Sequence, residues 1–265
     1  MANSFITAAQ SAYPAGLKLA RNVQAGHSVV HKFGRNSAVG TTYVPICGGG
    51  RLRTPQVAAA TALRVKAGNA ADTALGAGAR SITLQGIDQT GAVVTETLAT
   101  AGASASAATS ATFIRLLRVF VATSGTYATA VTGSHVGDIT IENAAGTEDW
   151  AVIDATDTAR SQSQIGFYTV PLGYRAFIYN ICMTAESTRL INLNFFTRSG
   201  ILETAAPYSA RRLQAEFVGL TDDFSQRFDA PKGPYPELTD IGFMAVVSTG
   251  SADVSIDFEI VLVKK

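Results

Sequence analysis

Three histidines, two cysteines and a few paired carboxylates are the side chains of this 265-residue sequence best suited to chemistry. His27 and His31 stand four apart, the interval that puts two metal ligands on one face of a helix. The intervening Ser28-Val29-Val30 reads as extended chain, and no carboxylate or cysteine follows in step. His135 stands by itself. Asp154 with Asp157, and Asp222 with Asp223, offer carboxylate pairs for acid and base catalysis or oxygen ligands for calcium. Both pairs sit in loop-like sequence, where acidic side chains ordinarily meet water and bond to turn backbone.

The glycine runs are equally incomplete. Gly48-Gly49-Gly50 has the composition of a phosphate cradle, but neither a Lys-Ser or Lys-Thr pair nor a helix follows it. Gly76-Ala77-Gly78 leads into a strand pattern and lacks the same context. There is no Gly-x-Ser-x-Gly elbow, and neither Cys47 nor Cys182 has a histidine nearby in sequence. A bridge between these two cysteines is open in principle, but a protein assembled in a cytosol keeps such thiols reduced, as small buried hydrophobes. Trp150, Tyr168, Tyr174, Tyr179, Phe195 and Phe196 suit a sugar-stacking platform, yet aromatics in alternating strands more often fill a core. The expectation is therefore no catalytic, cofactor-binding or metal-binding residue, no cofactor, and a chain that is not an enzyme.

Composition narrows the partners. Charged residues make up 15% of the chain and the formal charge is +1, against the clustered Lys and Arg that nucleic acid or a membrane surface requires. A surface so poor in charge suits one covered by other subunits. No run approaches the roughly 18 apolar residues of a membrane helix, and the first residues lack the basic start and continuous apolar stretch of a secretory signal.

The elements that must position these side chains are short strands. Residues 165–170 and 174–183 are rich in β-branched and aromatic residues and flank Pro171-Leu172-Gly173, a turn in which proline fixes the first corner and glycine accepts positive φ. This stretch reads as a hairpin, as do 80–86 and 93–98 around the turn at 88–91. Residues 41–46, 63–67, 136–142, 150–153 and 188–197 read as further strands, and 113–122 as a central one because it is apolar on both faces. Residues 99–110 are a low-complexity loop of small side chains. Residues 212–218 read as strand or short helix, and the proline-bearing 221–240 as a loop. Residues 241–247 and 253–263 form a closing pair, the latter setting Val254, Ile256, Phe258, Ile260 and Leu262 against Asp253, Ser255, Asp257 and Glu259 in strict period two. The fold class expected is all-β, with antiparallel β-sandwich or jelly-roll domains behind an extended N-terminal arm. The expected division is an arm over 1–35, an upstream sandwich over 36–159 and a downstream one over 160–265.

The segments NSAVGTTYVPICGGG (36–50), NAADTALGAGARSITLQGIDQTGAVVTETL (69–98), FIRLLRVFVATSGT (113–126), IGFYTVPLGYRAFI (165–178) and YPELTDIGF (235–243) resemble a family of virion structural proteins of tailed bacteriophages, particularly phages of marine bacteria. The resemblance implies a non-enzymatic virion component assembled in the host bacterial cytoplasm. Its partners would be other copies of itself and the major capsid protein or tail proteins, with no nucleic acid and no membrane. It implies a capsid decoration or cement protein using its arm and edge strands for contacts. A tail or head-to-tail component, such as an adaptor or fibre-anchoring protein, is the alternative, and a receptor or glycan-binding module the more distant one.

Overall fold

The computed structural model describes residues 18–19, 24–48, 60–126, 134–155, 160–186, 189–221 and 223–265. All its named elements are strands: β1 (His27–Val39), β2 (Val44–Pro45), β3 (Leu63–Ala67), β4 (Ala79–Ile87), β5 (Val93–Ala99), β6 (Arg115–Ser124), β7 (Ile139–Asn143), β8 (Asp149–Ile153), β9 (Phe167–Thr169), β10 (Tyr174–Glu186), β11 (Ile191–Arg198), β12 (Arg212–Leu220), β13 (Phe224–Tyr235), β14 (Asp240–Val247) and β15 (Ala252–Lys264). Every pairing between them is antiparallel.

The period-two pattern of the last strand becomes the centre of the larger sandwich. Val254, Ile256, Phe258, Ile260 and Leu262 on β15 are all buried. They face Phe195, Phe243 and Ala245 of the opposing sheet in one continuous apolar cluster, with the Phe243 and Phe258 rings 4.9 Å apart. One sheet runs β1-β15-β10-β13 and the other β12-β11-β14-β2, with β9 also paired to β14. Counting its eight main strands from first to eighth in chain order, the sandwich reads 1-8-3-6 over 2-7-4-5. It is an all-β antiparallel sandwich, as the turn and strand pattern leads one to expect.

Between β2 and β9 the chain leaves this sandwich and builds a second, smaller one from β3-β7-β8 and β5-β4-β6. Leu63, Val65, Ile82, Leu84, Val119, Ile139, Ile141 and Trp150 fill its core. The chain departs and returns side by side: Cys47 bridges to Ile165, and Gly166 N donates to Ile46 O at 3.0 Å. Gly34 makes the crossing possible. A Cβ there would lie 2.1 Å from the Ile46 carbonyl oxygen and 2.2 Å from Gly166 N.

Sheet membership therefore differs from the expected division at 35/36 and 159/160. Strands β1 and β2 precede the smaller sandwich in sequence but complete the two sheets of the larger one. The expected arm over 1–35 lies outside the described residues up to 23, except Lys18 and Leu19. From His27 onward it is strand, paired to β15 from His27↔Val263 to Val39↔Ala252.

The turns form where the sequence puts them, but the strands they join take other partners. Tyr174 N reaches Pro171 O at 3.3 Å and Gly173 has φ +83°, so the turn at 171–174 forms. Its flanking strands nevertheless do not pair: β9 joins β14, whereas β10 joins β13 and β15. The turn passes the chain from one sheet to the other. Likewise β14 and β15 face each other across the core and belong to different sheets. By contrast, β4 and β5 form the expected hairpin from Ser81↔Ala99 to Ile87↔Val93. Residues 224–235, expected in a loop, form β13. Proline cannot donate to a ladder and is tolerated on edge strands, and β13 is an edge strand that carries Pro231 and Pro234.

Replacing Gly34 by alanine is expected to lower unfolding free energy by about 3 kcal/mol, because the new methyl must displace backbone on both sides. Gly40→Ala, where nothing lies within 4 Å, should change it by less than about 0.5 kcal/mol. Urea unfolding followed by near-UV dichroism compares the two, and equal midpoints would refute the packing role of Gly34.

Candidate functional site

The strand β6, whose sequence reads as near-continuously apolar, carries Arg115 and Arg118, and the position of Arg115 defines the junction of the two sandwiches. Arg115 is 1% exposed and its partner Asp240, at the start of β14, is 0% exposed. Arg115 Nη2 donates to Asp240 Oδ2 at 2.9 Å, Nε donates to the same carboxylate at 3.2 and 3.3 Å, and Nη1 donates to Ile114 O at 2.9 Å. Thr169 Oγ1 on β9 donates to Asp240 Oδ1 at 2.8 Å. Arg198, at the end of β11, brings its Nη1 to 3.9 Å from Asp240 Oδ2. It is itself held by Ser209 O at 2.8 Å and Glu203 Oε2 at 3.4 Å. Four strands thus meet at one buried carboxylate. It is fully occupied, so it serves as a structural tie and offers no acid or base to a substrate.

A second feature of the junction is open. A cleft of about 530 Å³ lies between the first strand of the large sandwich and the smaller one, lined by β1 residues 29–33 together with Gln85, Val93, Leu117, Arg118, Gln162, Ser163 and Tyr168. Lys32 occupies an inward-facing position of β1, in register with Phe258. Its Nζ donates to Leu117 O at 2.5 Å. Burial, reinforced by the neighbouring positive charge of Arg118 and only partly opposed by the Cys47 thiol, lowers its pKa from 10.5 to about 8. Arg118 is exposed, lies over the Phe120 ring and donates to Gln162 Oε1 at 2.7 and 3.1 Å.

The residues singled out by type do not converge. His27 Nδ1 contacts Ala25 O at 3.0 Å, and His31 Nε2 contacts Asp257 Oδ1 at 2.6 Å. His135 is buried in the smaller sandwich, with Nε2 3.3 Å from Asp154 O and Nδ1 3.4 Å from Ser134 Oγ. Burial lowers its pKa and favours the neutral ring. Ser134 Oγ also meets Ser161 Oγ at 2.6 Å, where the backbone of Ser161 adopts φ +64°. Asp157, Asp222, Gly49 and Gly50 lie outside the described residues. Gly48 joins the chain crossing through Gln164 O at 2.8 Å, and Gly76 closes a turn onto Thr73 O at 2.9 Å. Among the described residues no group of three His, Cys, Asp or Glu gathers to hold a metal ion, and no helix is long and apolar enough to cross a membrane. Cys47 and Cys182 are free thiols, and burial pushes the former up to about 12. Trp150, Tyr168, Phe195 and Phe196 are buried and serve the cores, whereas Tyr174 and Tyr179 are half-buried, the latter under the Arg227 guanidinium.

Sequence reasoning missed Arg115, Arg198, Asp240 and Lys32. The available signal was a charge inside an apolar strand, as in FIRLLRVF and TDIGF. Asp72, in the connection between β3 and β4, was missed as well because its sequence reads as an ordinary turn: it is 0% exposed and accepts from Ala79 N at 2.8 Å, Val136 N at 3.0 Å and Gly137 N at 2.9 Å.

The large sandwich has four edge strands among the described residues, β1 and β13 in one sheet and β2 and β12 in the other. Leu213 and Val218 project from β12 at 56% and 67% exposure. Beneath them the Phe217 and Phe224 rings, 4.7 Å apart, close the open side of the core.

No family model matches this chain, and no curated protein matches it. Among solved structures, it is similar at 12% identity to a chain of the infectious bursal disease virus Gt strain, covering 90% of this chain and 75% of that one, with a TM-score of 0.22. A chain of the T13 particle of the same virus gives 9% identity, 90% and 73% coverage and a TM-score of 0.23. Likeness at this level carries no argument about fold or function.

Asp240→Asn is expected to cost about 3–5 kcal/mol in equilibrium unfolding, since Arg115 would remain buried without its counter-charge. The double variant Arg115→Met, Asp240→Leu should recover most of that loss, and failure to recover would show that the pair does more than neutralise itself. Lys32 generates a pH dependence whose sign follows from its lowered pKa. Between pH 8 and 10.5 the unfolded chain binds the extra proton, so stability relative to Lys32→Met should rise over that window by up to about 3 kcal/mol. Parallel denaturation series of both proteins measure this difference; a flat one would place the ammonium in water.

Proposed function

We propose that this chain is a non-enzymatic structural component of a virus particle of the tailed-bacteriophage kind, and specifically a decoration or cement protein of the head surface. In this reading it associates with copies of itself and with the major capsid protein, and reaches the virion by assembly in the host bacterial cytoplasm. The observation that carries the reading is the strand order 1-8-3-6 over 2-7-4-5. That order supports a jelly roll, two Greek keys wound into one sandwich, an architecture common to viral capsid and lectin domains. The step from fold to role is analogy, and three features of the chain strengthen it. The surface is poor in charge, as suits one that packs against other subunits. The edges β12 and β13 present backbone and apolar side chains to a neighbour. The sequence segments quoted above resemble phage virion proteins. The lectin branch of the analogy is weakened because four of the six candidate stacking aromatics, Trp150, Tyr168, Phe195 and Phe196, are core residues, whereas Tyr174 and Tyr179 are half-buried. A tail or head-to-tail component remains the alternative within the class, and subunit symmetry separates it from a decoration protein.

Light scattering on the purified protein is expected to return the mass of a closed oligomer. Leu213→Lys combined with Val218→Lys should reduce that mass to a monomer while leaving the melting temperature within a few degrees. A wild-type protein that stays monomeric at high concentration, and fails to associate with particles, would overturn the structural reading.

A further inference from the structure

We infer that the cleft between β1 and the smaller sandwich binds a carboxylate, with the Lys32 ammonium at its floor and the Arg118 guanidinium at its solvent side. This site is independent of the virion reading. An ammonium has three N–H donors. One of those on Lys32 is taken by Leu117 O, and no other acceptor among the described residues takes the remaining two. Lys32 is nonetheless 9% exposed, and a buried cation is stable only when its donors and charge are answered. Neither Lys32 nor Arg118 forms an ion pair among the described residues, and the cleft lining contains no Asp or Glu. The adjacent Asp257 is occupied by His31 at 2.6 Å. Two cations that repel each other therefore share one water-accessible volume with no anion supplied by the described chain.

The rest of the lining selects the kind of anion. Gln85, Gln162 and Ser163 add neutral hydrogen-bonding groups, while Val29, Val93 and Tyr168 add apolar surface, with Val29 and Val93 substantially exposed. An ammonium beside a guanidinium fork suits the two oxygens of a carboxylate, and the valines suit a short hydrocarbon attached to it. A phosphate dianion would gain the same cations but leave that apolar surface without a partner. The volume of about 530 Å³ accommodates several heavy atoms. The carboxylate has two possible sources, a free small acid or an acidic side chain on a peptide segment of a neighbouring subunit.

The test is calorimetric titration and thermal shift of the full chain at pH 7 and constant ionic strength with butyrate, acetate, phosphate and chloride. A further arm uses the blocked dipeptide N-acetyl-Val-Glu-amide. Butyrate should bind at least threefold more tightly than acetate, with chloride giving no saturable signal. Lys32→Met should abolish the response, and Arg118→Gln, at an exposed position, should weaken it about tenfold with the melting temperature of the free protein unchanged. Tighter binding of the dipeptide than of butyrate assigns the carboxylate to a polypeptide; equal or weaker binding assigns it to a free acid. A cleft that binds phosphate but not butyrate, responds equally to chloride, or keeps its response in both variants overturns the proposal and leaves a water-filled gap.

Discussion

The buried carboxylate of Asp240 is the constraint on which the arrangement of the two sandwiches depends. It sits at the first residue of β14, the strand that touches β2, β9 and β11, and it receives Arg115 from the smaller sandwich and Thr169 from the returning chain. A buried ion pair adds little net stability compared with apolar side chains of the same volume, but breaking one side is expensive. Its contribution is therefore geometric. A slip of β6 against β14 would strand one charge in the interior, whereas apolar contacts such as Ile114 and Leu117 against the larger core would tolerate small displacements.

The same logic governs the chain crossing. An inserted unit adds least strain when its two ends lie together, and here they are bridged at Cys47 and Ile165. The backbone of β1 passes so close that only glycine fits at 34. Cores interlock across the junction as well, with Ile87, Ile114 and Leu117 in the larger cluster and Phe167 and Phe196 in the smaller one. Because β1 pairs with β15, the larger sandwich cannot close until the last strand is available. Non-local pairing of this kind makes folding slow relative to local topologies.

These features place rigidity at the junction and leave accessible groups at two places. The edges β12 and β13 offer backbone pairing and a few apolar side chains, and the cleft beside β1 offers uncompensated positive charge. The tied junction holds these surfaces in fixed relation to one another. The arginines near the edges, Arg211 over Phe196 and Arg227 over Tyr179, lie on aromatic faces and add charge beside the open strands.

By itself the sequence determined where most strands begin and end, the turn at Pro171-Leu172-Gly173, the hairpin β4–β5 and the buried face of β15, because alternation and turn chemistry act over a few residues. It could not determine that β9 and β10 lie in different sheets, that β14 and β15 face each other across the core, or that β1 closes against the C-terminal strand. Each of those depends on pairing between segments tens to hundreds of residues apart, for which period-two patterns are interchangeable. The proline-bearing β13 was hidden because its local sequence describes a loop, and only its position at a sheet edge lets it be a strand. Lys32, Arg115 and Asp240 were hidden for a related reason: whether a charge in an apolar strand faces water or a partner is decided by what the fold places opposite it, and that is a property of tertiary structure alone.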